Sequence, residues 1–433
     1  MTTVAAPGSE DVGRFPGGRV VAGCFIVLTT SSGLSFYGLA VYLNAFSKER
    51  GWSLASISLA TTLFFVVGGF VGLVIARIIA RRDVRVALVG GGVLGGLALA
   101  ALGQVEERWQ LYAVYAVFAV GFSAAGLIPV TTVVTRWYHA RRSVALSVAS
   151  TGLSVGGILI TPFAKWLIDE RGLASATPVL AVVWIVGTVP FALWLVRPDP
   201  AALGWLPDGE RVRADTVAVA PGGVEFRDAL RSRFFRRTTV AYVLMLGAQV
   251  GGIQQLVKLV EERTDARTAT FATIALAGTS VLARLAGGRI VTGVPMVRFT
   301  AALGVVQAVS LTSLALSGSV VPIFVSIIVF GATVGNILML QPLLVAERFG
   351  VRDYPRIFSR SQFLTMAGVA GGPLLLGWLY DNAGGYRTSY LVAAACSIVG
   401  AFVMTTGGPA ETPSTSARVE PQVAGPAPQV RQA

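Results

Sequence analysis

Residues 268–293 read TATFATIALAGTSVLARLAGGRIVTG, an apolar run from Thr268 to Gly293 with the charge of Arg284 set inside it. A helix of that length, rising about 1.5 Å per residue, covers the roughly 30 Å hydrocarbon core of a bilayer. At helical spacing Thr273, Ala277, Ser280, Arg284 and Gly287 or Gly288 share one small, polar face, while Ile274, Val281, Leu282 and Leu285 fall elsewhere. A charge within a membrane helix is costly and is by default a functional feature, and a forked, permanently charged guanidinium suits bidentate contact with a carboxylate. Two roles stay open for Arg284 on this reading. It lines a water-filled cavity as an anion ligand, or, lying toward the end of its run ahead of Arg289, it reaches the interface as an anchor.

The rest of the chain is of the same kind. Of 433 residues 54% are hydrophobic and only 13% charged, with a mean hydropathy of +0.69, whereas a soluble domain is about one quarter charged. Repeated apolar runs of about 20 residues predict an all-α polytopic membrane protein, and their unbroken character excludes a strand barrel. Fifty glycines suit close helix contacts in lipid. The net charge of +13 is scattered between the apolar runs, so it does not form a nucleic-acid surface. Cys24 and Cys396 both fall in expected spans, which argues against a structural disulfide. Residues 1–18 are polar and hold Gly and Pro ahead of a full-length apolar run, so no cleavable signal is expected.

Twelve spans are expected, at about 19–46, 54–76, 84–104, 109–135, 143–167, 174–196, 238–260, 268–290, 297–317, 320–345, 361–380 and 386–406. Of the 35 lysines and arginines, 25 fall on one set of alternate loops and nine on the other, which puts both termini and the long middle loop in the cytoplasm. The expected organisation is a cytoplasmic segment 1–18, a six-helix bundle 19–196, a cytoplasmic central loop 197–237, a second six-helix bundle 238–407 and a disordered tail 408–433. The halves match each other. Trp166-Leu167-Ile168-Asp169-Glu170-Arg171-Gly172 and Trp378-Leu379-Tyr380-Asp381-Asn382-Ala383-Gly384 both read W-L-x-D-x-x-G, 212 positions apart, and at that offset Arg136-Trp137 meets Arg348-Phe349. An even number of spans per half gives parallel repeats with a substrate site between them near the midplane.

Two six-helix halves joined by a cytoplasmic loop resemble the major facilitator superfamily. Its loop motif G-x-x-x-D-R-x-G-R-R is kept in part by Gly72, Arg77, Arg81 and Arg82, with Ala76 for the aspartate and Ile79 for the second glycine. Within that superfamily the chain is similar to the monocarboxylate transporter and oxalate/formate antiporter group. The similarity rests on Gly51-Trp52-Ser53 after span one, on Arg136-Trp137-Tyr138-His139-Ala140-Arg141-Arg142 before span five, and on Gly377-Trp378-Leu379-Tyr380-Asp381-Asn382-Ala383-Gly384-Gly385-Tyr386. In that group an arginine of span eight binds the substrate carboxylate, and Arg284 stands at the matching position. Where mammalian-type members carry an aspartate four residues earlier, this chain has Ser280; their span-one lysine and the oxalate exchanger's span-eleven lysine have no counterpart.

These observations point to a carrier for a small organic anion, working by alternating access. Because only Arg284 lies deep in a span, a monocarboxylate is expected rather than a dianion. Lys258 is either a second cation or a snorkelling lysine. Phe36 and Tyr37 in span one, Tyr115 in span four, Ser280, and the amides Gln254, Asn336, Gln341 and Gln362 are candidate substrate contacts, or else hydrogen-bonding links between helices. Arg77, Arg81, Arg82, Arg136, Arg141 and Arg142, joined by Asp381 of the repeated motif, are candidates for an inward gate, pairing with helix C-termini or Asp83, or plain determinants of topology. Pro129 and Pro342, near Gly126 and Gly335, are candidate bends.

No midplane carboxylate is present for proton coupling, and His139 sits among loop arginines, so symport, anion exchange and uniport stay open. No cofactor, metal or nucleic acid is implied, the lipid bilayer is the expected surrounding, and a monomer is expected. A drug or metabolite exporter with a structural Arg284 is the alternative; a membrane-embedded enzyme is remote, since two cysteines and one loop histidine supply no catalytic cluster. Many arginines beside few lysines, with abundant Ala, Gly and Val, suggest a bacterial chain of the plasma (inner) membrane.

Overall fold

The structure, a computed structural model, describes residues 15–52, 54–209 and 222–409. Most of them are helical. In the first half α1 (Gly17–Leu34), α2 (Gly38–Arg50), α3 (Leu54–Arg81), α4 (Val84–Leu102), α5 (Arg108–Ala124), α6 (Leu127–Trp137), α7 (Arg142–Val155) and α8 (Thr161–Trp194) follow in order. After the central segment and the short α9 (Phe226–Arg231) come α10 (Arg233–Arg263), α11 (Ala266–Ile290), α12 (Met296–Leu316), α13 (Val320–Phe349), α14 (Tyr354–Asn382) and α15 (Gly385–Thr405).

Nine helical stretches among the described residues are long and apolar enough to cross a bilayer. One of them, Arg142–Trp194, has 53 residues, about 80 Å if straight. It turns back at Gly172, whose φ of 73° and ψ of 164° a side-chain-bearing residue resists, so it makes two crossings. α10 and α11 are not among the nine, but at 31 and 25 residues each is long enough to cross. Adding them gives twelve crossings.

The pairing of helices repeats from half to half. α1 packs on α7, α3 on α5, and α4 on α5 and α8; correspondingly α10 packs on α14, α11 on α13, and α12 on α13 and α15. The halves touch each other through α3 against α14 and α7 against α11, also an equivalent pair. Large apolar side chains such as Leu282, Val321, Leu374 and Phe402 remain exposed on the outer belt, where lipid replaces water as the neighbour.

Two expected spans are broken helices. Span one stops at Leu34 and resumes at Gly38, and the carbonyl of Leu34 accepts the Tyr42 hydroxyl at 2.8 Å. Span four stops at Ala124 and resumes at Leu127, and the carbonyl of Ala125 accepts the Ser31 hydroxyl at 3.2 Å. Backbone freed inside a membrane must find such partners. Pro129 sits in the first turn of α6, where its missing N–H costs nothing, and α13 runs unbroken through Pro342.

Candidate functional site

α11 begins at Asp265, whose carboxylate accepts the Thr268 amide at 2.9 Å, and its regular turns carry Ser280 and Arg284 along one side. That side meets α13 at close range. A Cβ on Gly335 would lie 2.1 Å from the Ser280 carbonyl oxygen, so only glycine permits this approach. The contact places the Gly335 carbonyl where the Arg284 Nε donates to it at 2.8 Å. Arg284 Nη1 donates to the Ser150 carbonyl of α7 at 2.6 Å, and the Ser147 hydroxyl donates to the Arg284 carbonyl at 2.6 Å. The arginine therefore ties the second half to the first. It is 2% exposed, and none of the ion pairs found among the described residues includes it. An interfacial anchor would keep its charge in water; this guanidinium is enclosed and compensated only by carbonyl dipoles.

Beside it lies a cavity of about 210 Å³ shared by both halves. The first half contributes Ser32, Phe36, Tyr37, Phe65, Phe122, Leu127, Leu153 and Ser154; the second contributes Arg284, Ser280, Gln249 and Gln362 among Leu, Val, Ile and Met side chains. Phe36 and Tyr37 enter it because of the break in span one. In a regular helix two successive residues point about 100° apart; here Ser35, at φ −105° and ψ −86°, leaves the helix and both rings line the cavity. They stand edge to face at 5.0 Å, and Phe36 meets Phe65 in the same way at 5.9 Å. The Tyr37 hydroxyl is hydrogen-bonded to Ser154.

Of the expected contacts, then, Arg284, Phe36, Tyr37, Ser280 and Gln362 are brought together, and four others are not. Gln254 is exposed and does not line the cavity. Five residues along a helix is a rotation of about 140°, so it is Gln249 that faces the cavity, a residue the sequence reading passed over although it too is an amide in an apolar run. Tyr115 is fully buried against Phe64, away from the cavity. Asn336 spends its amide on the Ala283 and Ala332 carbonyls at 2.9 Å each, filling the space against Gly287. Gln341 donates to the Ser361 and Thr365 hydroxyls at 3.1 and 3.0 Å, tying α13 to α14. Lys258 is exposed, 4.0 Å from Glu262 and over the Tyr380 ring.

At the arginine-rich end only some of the arginines meet the expected partners, Asp83 and helix C-termini. Arg77, Arg81 and Arg82 are exposed, and Asp83 takes Arg85 instead, because it caps α4: it accepts the Arg85 amide at 2.8 Å and the Arg85 Nε at 2.8 Å. Partial burial works to raise the Asp83 carboxyl, but the hydrogen bonds from Arg85 outweigh it and hold the group below the usual carboxylate range. Arg142 is buried and donates from Nε to the Tyr138 carbonyl at 3.1 Å, just past the end of α6. Arg136 lies close enough to Asp199 and Asp83 to feel their charge. The Arg141 amide, with those of His139 and Ala140, is held by Asp208 of the central segment, which the sequence reading did not single out. The side chain of Asp381 lies outside the described residues. Among the described residues no group of His, Cys, Asp and Glu could hold a metal.

Two like helical bundles that share a polar-and-aromatic cavity between them form the architecture of a membrane carrier. The family model described as Major Facilitator Superfamily matches residues 25–340, and the chain belongs to that superfamily. It is 22% identical to rat monocarboxylate transporter 13 over 371 residues, covering 84% of this chain and 82% of the relative, and 24% identical to human monocarboxylate transporter 11, covering 87% and 78%. A transporter of Aspergillus flavus, asaE, is 22% identical over 92% of this chain and 90% of its own. In structure the chain resembles the human organic anion transporter MFSD10 (TETRAN) with a TM-score of 0.70 at 15% identity, over 90% of this chain and all of that one. The E. coli fucose:proton symporter FucP gives 0.67 at 16% identity, over 91% and 98%. These structural likenesses establish the fold.

Proposed function

We propose that this chain moves a small organic anion, a monocarboxylate, across the plasma membrane by alternating access, with Arg284 binding the carboxylate. The observation that carries this reading is the enclosed guanidinium of Arg284 at the cavity wall, compensated by two carbonyls and by no acid. A carboxylate arriving in the cavity supplies the missing counter-charge; a dianion would bring a second charge with no second cation to meet it. The names of the relatives, monocarboxylate transporters 11 and 13, support the same class. The arginine loops support a cytoplasmic placement of both termini. A second reading is favoured by one observation: Arg284 already joins α7 to α11 and α13, which is what a structural arginine in an exporter of neutral or cationic compounds would do.

Uptake into proteoliposomes of radiolabelled monocarboxylates of increasing length, and of oxalate, separates the two. Monocarboxylate uptake is expected, with Arg284→Gln lowering affinity by about 10–150-fold, the equivalent of about 1.5–3 kcal/mol for hydrogen bonds to a charged group. Arg284→Lys keeps the charge but not the fork and is expected to lose most of it. Uptake that is unchanged in Arg284→Gln, by a variant of normal elution profile, overturns the reading. Imposing a pH gradient or loading an internal anion then distinguishes symport from exchange.

A further inference from the structure

The cavity has a size and a lining that a two- or three-carbon acid does not use. Resting on the carboxylate reading above, we propose that its substrate is an aryl monocarboxylate, with the ring held against Phe36, Tyr37, Phe65 and Phe122 and the carboxylate on Arg284.

Volume is the first argument. An apolar protein cavity of about 150 Å³ accepts benzene; this one is about 210 Å³. The difference, about 60 Å³, is the liquid share of two water molecules at about 30 Å³ each, and matches the bulk of a carboxylate. A lactate-sized anion paired with Arg284 would leave most of the space either empty, which forfeits dispersion contacts, or filled by waters facing a mainly hydrocarbon wall with few polar partners.

The wall itself is the second argument. All four of these rings come from the first half, whereas Arg284 comes from the second, and Phe36 and Tyr37, which line the cavity, keep 37% and 38% of their surface open. Tyr37, Phe36 and Phe65 already meet edge to face, the arrangement aromatic rings prefer, and a further ring extends the series. The third argument concerns polarity. The side chains of Gln249 and Gln362 line the cavity, and their amides offer a hydroxyl or N–H on the ring a polar neighbour in an otherwise apolar wall.

Isothermal titration of the full chain in nanodiscs with phenylacetate, 4-hydroxyphenylacetate, lactate and phenylacetamide tests this. Phenylacetate is expected to bind on the order of tenfold or more tighter than lactate, from ring burial; 4-hydroxyphenylacetate is expected to bind at least as well, and neutral phenylacetamide to bind poorly. Phe65→Ala is expected to shrink the preference for phenylacetate over lactate by roughly 2–12-fold, the range of an aromatic contact. Lactate binding as tightly as phenylacetate, with Arg284→Gln weakening both, overturns the aryl assignment and leaves the carboxylate reading standing. Phenylacetate and phenylacetamide binding alike, unchanged in Arg284→Gln, overturns the carboxylate reading and the aryl acid with it. An unaltered preference in a folded Phe65→Ala protein also counts against the ring site.

Discussion

The two halves follow one plan, yet they furnish the cavity with different chemistry. The first half supplies four rings and no charge or amide; the second supplies Arg284, Gln249 and Gln362 and no ring. The contrast is sharpest at matched positions. Phe122 and Val334, 212 residues apart like the repeated W-L-x-D-x-x-G segments, both line the cavity, and so do Ser154 and Met366 at the same offset. A duplicated scaffold keeps its helix pairings because they are set by small residues and ridge packing all along each helix, whereas a wall residue answers only to the ligand. Divergence at the wall with the pairing repeated fits the proposed substrate, charged at one end and apolar at the other.

The strongest way to break the division of labour is to disturb how the second half presents its charge. In Gly335→Val the new side chain meets the Ser280 carbonyl and crowds the Arg284 amide, 3.2 Å from where a Cβ would stand. α13 must move off α11, and the carbonyl that orients Arg284 Nε moves with it. Overpacking of this kind costs about 1–3 kcal/mol. The expected outcome is a clear drop in thermal midpoint together with loss of carboxylate uptake; retention of both would show that the glycine contact does not position the arginine.

How much of this could be read in advance depended on the kind of signal. The twelve crossings, the duplication and the isolation of Arg284 are carried by composition and by spacing along single helices, and the sequence states those openly. Which side of a helix faces the cavity is decided by how helices rotate against neighbours far away in the chain. That is why Gln254 was favoured over Gln249, and why Asn336 and Gln341, amides in equally apolar runs, turn out to link helices. The break at Ser35 was not legible either, for Leu34-Ser35-Phe36-Tyr37 holds no proline, and its cause lies in partners such as Tyr42, eight residues on from the Leu34 carbonyl it satisfies. Asp208 escaped notice because a loop acid has no periodicity to betray it.

A milder pair of changes sharpens the comparison by exchanging wall residues between the halves. Phe122→Val makes the first half resemble the second at that position, and Val334→Phe does the reverse. The first is expected to weaken binding of an aryl acid by roughly 2–12-fold, as the loss of an aromatic contact would. The second adds a ring beside the charged wall and is expected to crowd the ligand out. If only total cavity volume matters, the double exchange restores binding; if the side on which the rings stand matters, it does not. Affinity for phenylacetate, measured by titration, decides between them.

The smallest expected effect lies at the arginine-rich end, where the central segment binds the corresponding loop of each half by different means. Toward the first half it offers a carboxylate: Asp208, held at a φ of 66°, accepts the amides of His139 and Ala140 at 3.0 and 2.7 Å and that of Arg141 at 3.2 Å. Toward the second half it offers both amides and acceptors: Phe226 donates to Asp353 at 3.0 Å and Val224 to the Phe349 carbonyl at 2.9 Å, while the Gly222 carbonyl accepts from Val351 at 3.1 Å and the Glu225 carboxylate from Arg352 at 3.0 Å. All three amides of the first loop rest on one side chain, with the Trp137 indole donating to the Arg197 carbonyl at 2.8 Å beside them, whereas the second loop has a backbone pair besides its side-chain contacts. Asp208→Ala removes all three of these amide contacts at once, at about 1–2 kcal/mol by analogy with lost helix caps, and also leaves a Cβ-bearing residue in the left-handed region with no polar group to favour it. Asp353→Ala leaves the backbone pair in place and costs less. Asp208→Asn, which keeps an acceptor oxygen and tolerates that φ, falls between wild type and Asp208→Ala. Thermal midpoints of the three variants in one detergent rank the attachments, and an Asp353→Ala effect larger than that of Asp208→Ala would mean that the second loop, not the first, depends on its side chain.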